Sequence, residues 1–131
     1  MVGLAGKCAD IQGGGTANGT RVWTFTCNGT VAQEWLWTAG ELYNGHSGKC
    51  LEVAGGNMAN RTPTQIYTCN QTLSQTWFPS SWAANTPTDL FVPHTNRRCF
   101  EVAGGNSNDG TQLQIFDCNG TASQKWNMPL N

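Results

Sequence analysis

Six cysteines recur in this chain with a spacing that suits one of two kinds of sulfur chemistry, disulfide bonding or zinc ligation. In each of three pairs the second cysteine lies 19 positions after the first: Cys8 and Cys27, Cys50 and Cys69, Cys99 and Cys118. The pairs lack the short C-x2-C spacing of zinc knuckles, and the two histidines, His46 and His94, add no ligand pattern. Because the spacing is the same three times, we expect one disulfide within each pair, an oxidising compartment and no metal ion.

Catalytic chemistry of the nucleophilic kind has no candidate in the sequence. No Ser-His-Asp or Cys-His set is visible, and all six cysteines are expected to be in disulfides. We therefore expect neither an enzyme nor a bound cofactor.

The charge pattern indicates which partners the chain suits. Only 11% of the residues are charged, and the formal net charge is -1. The seven Lys and Arg residues are scattered, with only Arg97 and Arg98 adjacent, which disfavours nucleic acid binding. No run of about 18 apolar residues is present, so we expect no membrane insertion. Residues 1–6 are too short and uncharged for a whole signal peptide, and we expect the mature form or an excised domain of a secreted, extracellular protein.

The elements that must position these residues come in three copies of one unit. In every copy a Gln-x-Trp segment begins 6 positions after the second cysteine, and its tryptophans are Trp35, Trp77 and Trp126. A large aromatic side chain that recurs at one place in each unit predicts a shared core. A chain of 131 residues is the size of one ordinary domain. We therefore predict a single domain, 1–131, with repeats at about 1–40, 41–82 and 83–131.

Apolar residues fall in short alternating runs, such as 22–25 and 65–67, that are broken by Gly and Asn. This pattern predicts an all-β chain with four short strands per unit and twelve in total. The four are expected before the first cysteine, through the first cysteine, up to the second cysteine and at Gln-x-Trp. A polar, glycine-rich loop joins the second strand to the third, where glycine allows positive φ and close approach of the backbone to a ligand.

These motifs together carry a resemblance that covers the whole chain. Three copies of Cys-x-Asp/Glu, each followed by an aromatic-x-Cys-Asn strand and Gln-x-Trp, resemble the ricin B-type lectin family, also classed as carbohydrate-binding module family 13. The resemblance implies a β-trefoil with pseudo-threefold symmetry, in which six strands form a short barrel and six form hairpins that cap one end. The linker before the third unit is longer, and we expect Trp82 in it to fold over the barrel end.

The resemblance also implies which residues contact a sugar. A shallow sugar site needs a carboxylate that accepts hydroxyl hydrogen bonds and an aromatic ring that stacks on a C–H face of the sugar. In the family pattern the carboxylate lies two positions after the first cysteine, at Asp10, Glu52 and Glu101. The aromatic ring lies two positions before the second cysteine, at Phe25, Tyr67 and Phe116. An asparagine follows that cysteine at Asn28, Asn70 and Asn119, and a polar residue precedes it by four positions at Gln65 and Gln114.

The chain departs from the family pattern at two places. Glu52 and Glu101 stand where the family has aspartate, and the asparagine that usually precedes Gln-x-Trp is absent, with Ala32, Ser74 and Ser123 in its place. The alternative interpretation is that the two glutamates cap the turn of the glycine loop and that the phenylalanines belong to the core.

By this resemblance the chain binds galactose-type or xylan-type glycans without catalysis, through up to three shallow pockets, one per repeat. It would act as a multivalent lectin or as the targeting module of a covalently linked glycan-degrading enzyme. Hydrolysis would need two carboxylates about 5–10 Å apart, whereas the three carboxylates here fall on different lobes. The alternative is a β-trefoil protease inhibitor acting through a single exposed loop. A growth-factor trefoil would need a basic patch that the sequence lacks.

Overall fold

The computed structural model describes residues 1–83, 86–94 and 97–128, which contain β-strands and single-turn 3-10 helices. The strands are β1 Cys8–Ile11, β2 Val22–Phe25, β3 Leu36–Thr38, β4 Glu41–Asn44, β5 Lys49–Val53, β6 Thr64–Thr68, β7 Phe78–Pro79, β8 Thr88–Val92, β9 Arg98–Val102, β10 Thr111–Asp117 and β11 Lys125–Trp126. The 3-10 turns are Leu4–Gly6, Gln12–Gly14, Val31–Gln33, Ala54–Gly56, Leu73–Gln75, Ala103–Gly105 and Ala122–Gln124. The fold is the β-trefoil that the sequence predicts. No helix among the described residues has the length and apolar character needed to cross a bilayer.

The strands follow the four-strand repeat, with two differences from the sequence-based expectation. The first repeat begins with an isolated bridge instead of a strand, because Val2 pairs singly with both Cys8 and Asn127. The Gln of each Gln-x-Trp segment closes a 3-10 turn, so the fourth strand of the first two repeats begins after the tryptophan. The expectation of a strand at Gln-x-Trp is therefore wrong for the glutamine, which lies at the end of a 3-10 turn.

Each repeat contributes one antiparallel hairpin with the same register. Cys8 pairs with Phe25, Cys50 with Tyr67 and Cys99 with Phe116, so the first cysteine always faces the aromatic residue. Successive repeats are joined at the far ends of these hairpins, where Gln112 pairs with Trp23, Arg21 with Gln65 and Pro63 with Gln114. These three links are equivalent by position in the repeat, and they close the molecule around its pseudo-threefold axis.

The core lies on that axis and is built from the same positions of every repeat. The indole N–H of each Gln-x-Trp tryptophan donates to a backbone carbonyl, from Trp35 to Ala9, from Trp77 to Leu51 and from Trp126 to Phe100. Trp77 and Trp126 are fully buried, and both pack against the Phe100 ring, with centroids 5.4 Å and 4.7 Å away. A buried indole with its N–H satisfied stabilises the core through its large apolar surface.

Three disulfides join the cysteines within each repeat, as the spacing predicts: Cys8–Cys27, Cys50–Cys69 and Cys99–Cys118. None of the described cysteines is free. Each bond closes a loop with a sequence separation of 19, which in the chain-entropy model stabilises the fold by about 3 kcal/mol.

The longer linker before the third repeat places Trp82 on the surface. The Trp82 side chain is 53% exposed, and its ring meets the edge of Trp37 in β3, with ring centroids 4.9 Å apart. The expectation that Trp82 folds over the barrel end is wrong, because more than half of its side chain stays exposed and its ring contact is with the half-buried Trp37. Ala84 and Asn85 of this linker lie outside the described residues.

Candidate functional site

The hairpin register brings the family-pattern residues of each repeat to one face. Residues that face each other across antiparallel strands point to the same side of the sheet, as do residues two positions apart on one strand. In the first repeat Asp10 faces Trp23 and Cys8 faces Phe25, so the carboxylate and both aromatic rings share a face. The glutamates occupy the same place, with Glu52 opposite Gln65 and Glu101 opposite Gln114.

In the first repeat both oxygens of the Asp10 carboxylate accept hydrogen bonds from side chains. The indole N–H of Trp23 donates to Oδ1 at 2.8 Å, and the side-chain amide of Gln33 donates to Oδ2 at 2.8 Å. Asp10 is only 6% exposed, so these two donors compensate the loss of water around its charge. The carboxylate is thereby held in one orientation.

The second and third repeats achieve the same arrangement with a longer carboxylate and a shorter donor. Gln65 donates to Glu52 Oε2 at 2.8 Å, and Gln114 donates to Glu101 Oε2 at 2.9 Å. The extra methylene of glutamate thus accompanies a glutamine where the first repeat has the larger tryptophan. Neither glutamate accepts a hydrogen bond from a backbone N–H of the described residues, so the alternative that they cap the glycine turn is wrong.

The glutamine of Gln-x-Trp joins three parts of every repeat. Gln33 donates to Asp10 and to the Thr26 carbonyl, and its Oε1 accepts the backbone N–H of Asn28 at 2.9 Å. The other repeats make the same bonds: Gln75 with Glu52, Thr68 and Asn70, and Gln124 with Glu101, Asp117 and Asn119. The sequence analysis did not predict the bond from these glutamines to the carboxylate, although their fixed spacing after the second cysteine was an available signal.

Each carboxylate retains capacity for a ligand. An ionised carboxylate has about four acceptor positions, and the internal donors occupy one on each oxygen. Asp10 borders an open depression of about 360 Å³, together with Trp23, Phe25 and Asn28. Glu101 borders a second depression of about 530 Å³, together with Phe116 and Asn119. Each depression therefore combines one oriented hydrogen-bond acceptor with an aromatic wall, which is the chemistry that a sugar ring requires.

The three aromatic rings lie at the surface instead of in the core. Tyr67 is 38% exposed, and Phe25 and Phe116 are half-buried. Phe25 stacks with Trp23 at a centroid distance of 5.9 Å, whereas Phe116 lies under the guanidinium group of Arg61. The alternative that the phenylalanines belong to the core is therefore wrong for both.

The asparagine after the second cysteine presents an amide nitrogen to the solvent. In each repeat its Oδ1 accepts hydrogen bonds from the threonine two positions later, as Asn28 does from Thr30. Asn70 and Asn119 bond Thr72 and Thr121 in the same way. Among the described residues the Nδ2 groups of these asparagines have no partner, so each can donate to a ligand at the rim.

A pair of glycines lines the depression of the first repeat and an equivalent pair that of the third. Gly13 and Gly14 have φ values of 62° and 64°, and Gly104 and Gly105 have 61° and 65°. A Cβ atom at any of these four positions would meet nothing within 4 Å, so glycine is required by the backbone conformation and not by lack of space.

One group of side chains in the described part of the chain has the spacing of a metal site: Glu41, Cys50 and Cys69. The two sulfur atoms are joined in a disulfide and offer no thiolate ligand, so the group does not suit a metal ion.

The fold and the three equivalent hairpin faces define a β-trefoil of the lectin type. The family model for the ricin-type beta-trefoil lectin domain matches residues 1–77, which is more than half of the chain. The chain belongs to this family. No curated protein sequence matches it significantly.

Solved structures resemble the chain over almost all of its length. A designed threefold-symmetric protein, ThreeFoil, has a TM-score of 0.85 at 22% identity, covering 93% of this chain and 89% of its own. An exo-β-1,3-galactanase from Clostridium thermocellum has a TM-score of 0.86 at 23% identity, covering 95% of this chain and 28% of the enzyme. A ricin B-like lectin from Macrolepiota procera, solved with lactose, has a TM-score of 0.75 at 23% identity, covering 93% and 86%. At these identities the likeness shows the fold.

Proposed function

We propose that this protein binds galactose-type or xylan-type glycans without catalysis, through up to three shallow pockets, one in each repeat. The observation that carries the proposal is the carboxylate of each repeat, which is held by two side-chain donors beside a surface aromatic ring. Such an acceptor binds sugar hydroxyls, and the ring binds a C–H face of the sugar. The Glu–Gln pairs of the second and third repeats preserve this arrangement, which favours three working pockets over one.

Membership of the ricin-type lectin family supports the same function. The related Macrolepiota procera lectin was solved with lactose, a galactose-containing sugar. The part of the galactanase that resembles this chain makes up 28% of the enzyme, which fits a role as a targeting module attached to an enzyme. We propose that this protein is secreted or extracellular and binds glycans there, either by itself or as such a module.

The composition of the pockets favours binding over hydrolysis. The depressions in the first and third repeats are each lined by one carboxylate, Asp10 or Glu101. Glycoside hydrolysis uses a pair of carboxylates that flank the scissile bond. A pocket with one acceptor holds a sugar but supplies no acid and base for cleavage.

Three equivalent pockets also explain how shallow sites can be useful. A single-sugar site with a dissociation constant near 1 mM supplies only about 4 kcal/mol of binding free energy. Simultaneous engagement of several pockets by one branched or repetitive glycan raises the overall affinity by a factor of about 10² or more.

Replacement of Tyr67 by alanine tests the pocket placement. Tyr67 is 38% exposed, so Tyr67→Ala should remove the sugar platform of the second repeat without unfolding the protein. Phe78→Ala is the matched control, because Phe78 is equally exposed at 38% and lies after Gln-x-Trp, away from the hairpin face. We expect about tenfold weaker binding to an array of galactosides and xylo-oligosaccharides for Tyr67→Ala, and an unchanged signal for Phe78→Ala.

Circular dichroism of both variants should match the parent protein. Equal binding by Tyr67→Ala and Phe78→Ala would contradict the pocket placement. An array with no glycan bound, together with inhibition of a trypsin-like protease, would replace the proposal with the inhibitor alternative. Asp10→Ala is a poorer test, because it removes the acceptor of the Trp23 indole N–H and one of the two acceptors of the Gln33 amide.

A further inference from the structure

Three equivalent backbone positions in the structure carry two glycines and one arginine. Gly19, Arg61 and Gly110 each lie 11 positions after the first cysteine of their repeat, and their φ values are +88°, +71° and +88°. Each donates its backbone N–H across to the next hairpin at 2.8 Å, to Ile66, Ile115 and Thr24 respectively. Left-handed backbone is costly for a residue with a side chain, so Arg61 is the strained member of the set.

The Arg61 side chain lies in the pocket of the third repeat. Its guanidinium carbon is 5.4 Å from the centroid of the Phe116 ring, and Arg61 lines the same depression as Glu101 and Asn119. The guanidinium makes no hydrogen bond or ion pair with any described side chain. Arg21 and Arg98, by contrast, donate to Gln65 and Asp117. Arg61 is thus a charged donor in an open pocket, held over the ring that forms the pocket wall.

We propose that the third-repeat pocket selects a sugar that carries a carboxylate, and that Arg61 is the specificity-determining residue. This inference rests on the proposed sugar-binding function. The planar guanidinium would donate two N–H groups to the sugar carboxylate, while Glu101 accepts hydroxyl hydrogen bonds as in the other repeats. Glu101 is 7% exposed, and both of its oxygens accept hydrogen bonds from amides, those of Gln114 and Gln124, which weakens its repulsion of a sugar carboxylate.

The first repeat provides a pocket without a cationic side chain in the same molecule. Gly110 occupies the position equivalent to Arg61 there, and a Cβ atom on it would lie 3.6 Å from the Trp23 ring. The residues that line this depression include Asp10, Gly13 and Asn28 and no Lys or Arg. The first repeat should therefore bind neutral sugars without a preference for acidic ones.

A residue-resolved titration tests the inference in the intact chain. Backbone amide NMR signals of Gly104, Gly105 and Asn119 report on the third pocket, and those of Gly13 and Asn28 report on the first. The probes are two matched pairs: galacturonic acid with its neutral methyl ester, and sialyllactose with its neutral methyl ester. The first pair tests a uronate as the source of the carboxylate, and the second pair tests a sialic acid.

We expect the acidic member of at least one pair to bind the third pocket about three- to tenfold more tightly at low salt, with the difference shrinking as salt is added. The first pocket, which has no cationic side chain, should show no preference for the acidic member of either pair. Arg61→Gln should abolish the difference, and Arg61→Lys should restore part of it. Arg97→Gln is the matched control, because Arg97 also lies over a phenylalanine, 4.4 Å from the Phe91 centroid, yet lines neither depression.

The two proposals fail differently in this experiment. Binding of neutral and acidic sugars with equal affinity in the third pocket would overturn the acidic preference and leave the sugar-binding function standing. Retention of the preference in Arg61→Gln, or its loss in Arg97→Gln, would overturn the role of Arg61. If no sugar shifts either set of signals, both proposals are overturned.

Discussion

At the scale of single residues, the glutamine of Gln-x-Trp connects the pocket to the scaffold. Gln75 is fully buried, and it bonds the Glu52 carboxylate, the Thr68 carbonyl and the Asn70 N–H. One side chain therefore orients the acceptor, the strand that carries Tyr67 and the asparagine at the rim. Because these groups are hydrogen-bonded only when the glutamine is present, we expect pocket geometry and stability to depend on the same residue.

Gln75→Ala should lower the free energy of unfolding by about 2–4 kcal/mol, because it leaves three polar groups without their partner and opens a cavity. Gln12→Ala is the control, since Gln12 is exposed and its side chain makes no hydrogen bond to the described residues. That variant should stay within about 0.5 kcal/mol of the parent protein in urea unfolding. Equal loss of stability in the two variants would contradict the role given to Gln75.

At this scale the sequence offered candidate sugar-binding residues but not how they fit one another. The family resemblance implied Asp10, Glu52 and Glu101, and the structure brings each to the same place on its hairpin. The replacement of aspartate by glutamate was only a departure from the family pattern as long as the cross-strand partner was unknown. Once the register pairs Glu52 with Gln65 and Asp10 with Trp23, the two changes compensate each other in length.

At the scale of elements, the turns after the second cysteine show where the repeats differ in strain. Gly29 and Gly120 have φ values of 68° and 72°, and the equivalent residue of the second repeat is Gln71, with φ of 59°. A residue with a side chain is roughly 1–2 kcal/mol less favourable than glycine in this conformation. Glycine loses more conformational freedom when the chain folds, which offsets about half of that difference. The turn of the second repeat is therefore less well adapted than the other two.

Gln71→Gly should raise the free energy of unfolding by up to about 1 kcal/mol, since it relieves the left-handed strain. The reciprocal change, Gly120→Gln, should lower it by a similar amount, because a Cβ there meets nothing within 4 Å and only the backbone conformation opposes it. Thermal unfolding of both variants measures the effect. A decrease in stability for Gln71→Gly would show that its side chain makes a contact worth more than the strain.

The strands and glycine loops could be predicted because alternation and glycine leave a local signal. Trp82 could not be placed in this way, since its partner Trp37 is remote in sequence and only the tertiary fold brings them together. Arg61 was also missed, although aligning the repeats would have shown an arginine where the other copies have glycine.

At the scale of the whole molecule, equivalent polar contacts connect each repeat to the next. Asn18 accepts the backbone N–H of Thr68, and Asn60 donates to Asp117. Asp109 closes the ring by accepting the backbone N–H and the hydroxyl of Thr26, and it also pairs with Lys7 at 2.8 Å. The contact made by Asp109 thus uses a carboxylate where Asn18 and Asn60 use a side-chain amide. The connection between the third repeat and the first is therefore sensitive to pH.

The pKa of Asp109 lies below its usual value because the Lys7 ammonium and the Thr26 hydroxyl donate hydrogen bonds to its carboxylate. A pKa lowered by folding stabilises the native state above the unfolded pKa of about 4, and this contribution is lost as pH falls through the folded pKa. Asp109→Asn, which copies the amide of the other repeats, removes the titrating group.

We therefore expect the parent protein to be more stable than Asp109→Asn by a constant amount above about pH 5. The difference should shrink steadily below about pH 4. Urea unfolding of both proteins between neutral and acidic pH measures it. A difference that does not change with pH would show that Asp109 acts through packing alone.

The threefold architecture itself was predictable, because the same spacing occurs three times and a trefoil needs three equal lobes to close. The polar contacts between repeats were not predictable, since they join residues far apart in sequence and exposed polar pairs leave no local pattern.

The proposed function depends on each lobe presenting a separate sugar pocket with its carboxylate as acceptor.

A crystal structure of the protein soaked with lactose, and in parallel with a xylo-oligosaccharide, well above about 1 mM tests this claim most directly. We predict a sugar ring stacked on Phe25, Tyr67 or Phe116, with its hydroxyls about 2.5–3.0 Å from the carboxylate of the same repeat. A sugar bound elsewhere, or none in any of the three pockets with either ligand, would contradict it.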